Sequence, residues 1–188
     1  MEQLRIKYFT NRQEWRKWLL SNFETADEVW LAYPLKKTGK ERILYNDAVE
    51  VALCFGWIDS TVKSLNEEIT IQRFCKRRKK SVFSQPNKER LKWLYDNGLI
   101  HESIRDDAEK IIKEKFIFPK DIMDTIKSDK TLLTNYQNLS DSYKRIRIAY
   151  IEGARKRPEE FDKRLNNFIK KTKENKLIKG FGGVEKYY

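Results

Sequence analysis

The two-residue hydrophobic period runs out at Cys75, and everything after it follows the 3.6-residue period of a helix. Every strand must therefore come from the N-terminal part of the chain. The run Val29-Trp30-Leu31-Ala32-Tyr33-Pro34-Leu35 is apolar on both faces, as a central strand is, and Lys36-Lys37-Thr38-Gly39-Lys40 ends it. Ile6 to Phe9 is a short strand candidate. Trp57 to Leu65 and Ile69 to Cys75 predict a hairpin around the polar turn Asn66-Glu67-Glu68. Two helices fall between these strands. Thr10 with Gln13 forms a capping-box start for one carrying Trp15, Trp18, Leu19 and Phe23 on its core side. Asp47 with Glu50 opens the other, which passes through Val49, Leu53 and Phe55 and stops at Gly56.

Beyond the hairpin the punctuation is that of successive helices. Ser84-Gln85-Pro86 starts one that ends at Asn97-Gly98, Ser103 with Asp106 another, Pro119 and Asp129 two short ones, Ser140 a longer one, and Arg157-Pro158 the last. Gly180-Phe181-Gly182-Gly183 then releases a tail; it follows a helix and opens nothing, so it is not a dinucleotide fingerprint. The pattern predicts an α+β fold, a small mixed or antiparallel sheet with a hairpin followed by a mainly helical half. We expect an α+β core over residues 1–100 and a helical region over 101–188 packed on it as one unit. A chain of 188 residues buries about 70% of its unfolded surface and needs no metal or disulfide to hold it.

Composition removes several chemistries. With 39% apolar and 13% aromatic residues the chain is no disordered basic tail. One histidine, His101, excludes a His-His-carboxylate metal centre, and its place after Gly98-Leu99-Ile100 suits a connection between helices. Cys54 and Cys75, 21 positions apart with no histidine nearby, spell no zinc site and suit reduced thiols in the cytoplasm. Charges inside Met1 to Tyr8 leave no secretory signal, and no apolar run is long enough for a membrane span. The Asn138-Leu139-Ser140 sequon is better read as a helix cap by Ser140. No motif implies a cofactor.

The charge is concentrated. Of a net +12, residues 73–92 hold nine basic and one acidic side chain, a surplus of +8, and residues 155–188 hold +6, while the rest is slightly acidic. The first block leaves a strand, crosses a short connection and enters a helix, which favours anions. Guanidinium groups grip phosphate in pairs of hydrogen bonds, first-turn N–H groups point outward, and hydroxyls add short donors. Arg73, Arg77, Arg78, Lys79, Lys80, Ser81, Ser84 and Asn87 are the candidate anion-binding residues, and a nucleic acid or phosphate-bearing ligand is the expected partner. The same lysines would also serve as a solubilising turn. The second block, Arg155-Lys156-Arg157 with Lys170-Lys171-Thr172-Lys173, is more dispersed and suits a charged helix face. Trp57 and Asp59 open the first hairpin strand and are the candidate pocket residues. Asp59 can anchor an arginine, or act as acid and base in an enzyme for a small phosphorylated or carboxylated metabolite, but a single carboxylate without an acid partner points away from catalysis.

These residues resemble the bacterial YdeI/OmpD-associated family, the bacteriocin-protection proteins. The resemblance rests on Val29-Trp30-Leu31 with Lys36-Lys37 and on Tyr45 with Ala48 to Asp59, above all Cys54-Phe55-Gly56-Trp57-Ile58-Asp59. It extends to Arg73-Phe74 with Arg77-Arg78, Ser81, Ser84 and Asn87, and to Tyr143-Lys144-Arg145 with Ile151 to Lys156. Lys76, Phe83 and Phe23 stand where relatives tend to carry proline, tryptophan and histidine, and residues 101–120 lack the usual Gly-Arg-Trp element. The resemblance implies a stress or bacteriocin-protection role, and its association with a porin sits poorly with a chain that has no export signal. A protein of charge +12 would also repel a cationic peptide. The expectation is a cytoplasmic, non-enzymatic protein that binds an anionic partner.

Overall fold

The computed structural model describes residues 4–78, 81–179 and 183–188. The chain divides into two units, one formed by residues 1–82 and 91–111, the other by residues 83–90 and 112–188. The fold is α+β, with a four-stranded mixed sheet in the N-terminal half and most of the helices in the C-terminal half.

In the first unit the strands are β1 (Ile6–Lys7), β2 (Glu28–Pro34), β3 (Trp57–Ser64) and β4 (Ile69–Lys76), in the spatial order β1-β2-β4-β3. β2 is central, as its two apolar faces require, with its last six residues all buried. It pairs with β1 in parallel and with β4 antiparallel, in a register that sets Tyr33 opposite Thr70 and Trp30 opposite Arg73. β3 and β4 form the expected hairpin. Its register slips between Asp59 and Val62, a β-bulge that bends the outer strand.

Helix α1 (Arg12–Asn22) sets Trp15 and Leu19 fully inside, with Trp15 edge-on to Phe74 of the sheet. Asn11, and not Thr10, caps it: its side-chain oxygen accepts from the Glu14 N–H at 3.0 Å, while Glu14 turns back to the Thr10 N–H at 2.9 Å. The pair is thus Asn11 with Glu14, one residue on from Thr10 with Gln13, and the return bond reaches the residue before the cap. Helix α2 (Tyr45–Leu53) likewise starts earlier than Asp47 implies. The Asp47 and Glu50 carboxylates are spent on Arg12, 3.3 Å from each, and Glu50 is buried. Gly56, at φ +70°, carries the left-handed turn into β3, and a Cβ there would stand 3.2 Å from the Ile104 side chain. His101 lies half-buried against the rings of Phe23 and Phe55, its Nδ1 2.9 Å from the Ser103 hydroxyl. Helices α3 (Gln85–Asp96) and α4 (Glu102–Ile112) follow, α3 ending at Gly98 with φ +66°.

The second unit holds α5 (Lys120–Lys127), α6 (Lys130–Gln137), α7 (Asp141–Glu152) and α8 (Pro158–Lys173). Asp129 and Ser140 cap α6 and α7 as their spacing predicts, accepting from the N–H groups of Leu132 and Tyr143. Ile122, Ile126, Leu132, Tyr143, Ile151 and Phe168 make its core. The C-terminal residues are not a released tail: Val184 and Tyr187 are buried, and the Tyr188 hydroxyl accepts from Arg147, an aromatic end being worth more inside than in water.

Ion pairs hold several carboxyl groups below their ordinary range. Arg73 does so for Glu28, Arg155 for Asp121, Lys173 for Asp129 and Arg164 for Glu160. A carboxyl whose folded value is depressed lends stability above its unfolded value and loses it as acid titrates the folded form. The thermal midpoint should therefore be flat above about pH 5 and fall steadily below about pH 4, and added salt should shrink the fall. Melting curves followed by circular dichroism check this; a midpoint that rises on acidification would contradict it.

Candidate functional site

Within the first unit the basic block begins on β4 and runs into the connection after it. Arg73 faces Glu28 on the neighbouring strand, its Nε 2.7 Å from Oε2, with a second contact from its Nη2, and its Nη1 reaches the Ser60 hydroxyl at 3.4 Å. Lys76 donates to the Glu24 carbonyl at 2.8 Å and lies 3.4 Å from Asp27. Arg77 turns back on its own connection, its Nη2 donating to the carbonyls of Val82 at 2.6 Å and Ser81 at 3.3 Å, and partial burial pushes its guanidinium below its ordinary pKa. Arg78 is exposed, and its carbonyl accepts from both the N–H and the hydroxyl of Ser81. Arg73 and Arg77 thus hold the protein's own oxygens, while Arg78 projects to solvent beside the exposed Ser81 and Val82. Lys79 and Lys80 lie outside the described residues.

Ser84 and Asn87 belong to the second unit. The Ser84 carbonyl accepts from the Lys88 N–H, and the Asn87 oxygen accepts from Arg90 at 2.9 Å. Lys88 pairs with Glu114, and Glu89 is gripped by Arg145. The same unit holds a cavity of about 220 Å³ bordered by Arg147, Tyr150, Arg164 and Asn167, in which Arg164 is committed to Glu160 and to the Tyr150 carbonyl.

Trp57 is fully buried, its indole N–H donating to the Phe23 carbonyl at 3.2 Å and its ring edge-on to Trp18. It is core. Asp59 stands near the start of β3 and accepts from the Tyr45 hydroxyl at 2.6 Å. Tyr45 also borders a hollow of about 250 Å³ on the helix-bearing face of the sheet, lined by Tyr33, Arg42, Leu44, Val62, Thr70 and Gln72 as well. No residue of that lining stands out in the sequence as a site. Tyr33 reads as one more apolar strand position, and only its hydroxyl, which needs a partner when buried, hints at more. Among the described residues no group of three or more His, Cys, Asp or Glu side chains is placed to hold a metal ion, and no helix is long and apolar enough to cross a membrane.

Two family models match the chain. One, described as Domain of unknown function (DUF8412), matches residues 7–107, which hold β2 to β4, α1 to α3 and the whole of the basic block. The other, described as Bacteriocin-protection, YdeI or OmpD-Associated, matches residues 115–175, the helices α5 to α8. No curated protein and no solved structure matches it. The family resemblance read in the sequence is thus present in the C-terminal helices, while the Cys54 to Asp59 run falls within the first match. Since that first match takes in more than half of its residues, the chain belongs to the DUF8412 family, and it carries a YdeI/OmpD-associated segment after it.

Proposed function

We propose that this is a bacteriocin-protection-type protein of the cytoplasm that works by binding, and that its partner is a phosphate-bearing polyanion, nucleic acid being the simplest. The observation that carries the reading is the surplus of +8 within residues 73–92, of which Arg78 is exposed on a connection whose Val82 is also open to solvent. Arg78, Lys79 and Lys80 supply the charge that meets phosphate, while Arg77 braces the connection through its bonds to Ser81 and Val82. Arg73 serves the sheet through Glu28 and is a positioning residue at most. The two thiols, Cys54 and Cys75, are both free, which suits a reducing compartment.

Binding of this kind releases counterions, so affinity for DNA or RNA falls with salt at a log–log slope of about 0.9 per neutralised phosphate. Replacing Arg78 with glutamine is expected to lower that slope by about one. Replacing Arg78, Lys79 and Lys80 together should lower it by two to three at about the same melting temperature, because the Arg78 side chain is exposed. Fluorescence anisotropy of a labelled oligonucleotide across a salt series measures both. A triple variant with the native slope overturns the reading.

A further inference from the structure

The hollow over the sheet contains a polar group that the fold leaves without use. Tyr33 lies next to the end of β2 and is 6% exposed; its hydroxyl oxygen is buried at the wall of the hollow and has no hydrogen-bond partner among the described residues. A buried hydroxyl of this sort forfeits its hydrogen bonds to water and gains nothing in return, so such groups are few and each calls for an explanation. Tyr33, Arg42 and Tyr45 border the same hollow, and Asp59 is bound to Tyr45 at its rim. Burial keeps the phenol neutral, hence able to donate.

Around that hydroxyl the chain assembles the rest of a small-molecule site. Arg42 lies with its guanidinium carbon 5.7 Å from the centroid of the Tyr33 ring and is fixed by Nη1 donating to the Pro34 carbonyl at 2.9 Å, one edge of a five-donor fork. Gln72, also buried, is held by Nε2 on the Ser60 carbonyl. Leu44 and Val62, both well exposed, give the lining an apolar part. Arg42 is the one charged residue of the lining, and the two donors at hand, the Tyr33 hydroxyl and the Arg42 fork, both seek oxygen acceptors. Asp59, tied to Tyr45, places negative charge close to the same wall. A dianionic phosphate would feel that charge twice over; a planar monoanion suits the fork better.

We infer that the hollow lined by Tyr33, Arg42 and Gln72 binds a small carboxylate with an apolar body, the carboxylate taking the Tyr33 hydroxyl and the Arg42 fork, and the body resting on Leu44 and Val62. This site is separate from the basic connection after β4 and stands whether or not that segment binds a polyanion.

The test uses the full chain and three probes of one shape, benzoate, benzamide and benzylammonium, titrated by heteronuclear NMR. Benzoate is expected to saturate, with shifts centred on Tyr33, Arg42 and Gln72; benzamide to bind more weakly; and benzylammonium not to saturate. Tyr33→Phe and Arg42→Gln should each weaken benzoate about tenfold, the value of one good hydrogen bond. Tyr33→Phe removes only an unpaired oxygen and should melt no lower than the native protein, which separates lost binding from lost fold. Benzoate that does not saturate, benzylammonium that binds as well as benzoate, or full benzoate affinity in both variants overturns the inference.

Discussion

Replacing Arg145 with methionine should destabilise the second unit by about 3 kcal/mol, in the lower part of the range for breaking a buried ion pair because the arginine itself is partly exposed. Arg145 on α7 grips Glu89 with two charge-assisted bonds, Nε to Oε1 at 2.6 Å and Nη2 to Oε2 at 2.9 Å. Glu89 is 5% exposed and receives one further bond, from Gln85 at 2.7 Å. Without the guanidinium a carboxylate stays behind in a place water does not reach. The compensating variant isolates the cause: Glu89→Leu added to Arg145→Met should recover most of the loss, since an apolar pair of like size does not carry the desolvation cost. Urea denaturation measures both, and a single variant as stable as the native protein would show that Glu89 finds water or another partner.

Trp57→Ala should cost about 3–5 kcal/mol, the range for emptying a large aromatic from a core. Its ring is wholly buried, edge-on to Trp18 at 6.0 Å, and its N–H serves the Phe23 carbonyl. Trp57→Phe should recover much of the packing and none of that hydrogen bond. If Trp57 lined a binding pocket, as its place beside Asp59 in the sequence suggests, its loss would fall on ligand affinity instead. The expected result is a lower denaturation midpoint, with the polyanion affinity of the still-folded fraction unchanged.

The contrast shows what a linear pattern conveys. The hairpin, the central strand and the Asp129 and Ser140 caps depend on neighbours a few residues away, so periodicity and turn chemistry reveal them. Thr10 and Asn11 are both good caps, and which one serves is decided by where the Glu14 side chain reaches, a matter of three-dimensional fit. Asp47 and Glu50 have the spacing of a capping box but are claimed by Arg12, more than thirty positions away. The basic block was legible as charge, yet the burden each cation already bears was not. Arg73 meets Glu28 only because β4 lies beside β2 in this register, and Arg77 meets the Val82 carbonyl only because the connection folds back. Tyr33 was hardest to read. Its ring obeys the apolar pattern, and only the fold brings it to one hollow with Arg42, Gln72 and Tyr45.

The slip in register between Asp59 and Val62 has a bearing on life at high concentration. β3 is the long outer strand of the sheet, and such a strand offers a row of free amides and carbonyls on which a copy of the chain could start a fibre. The bulge throws those groups out of phase with the straight edge of a second copy. The local irregularity thereby discourages the sheet from growing beyond its own molecule.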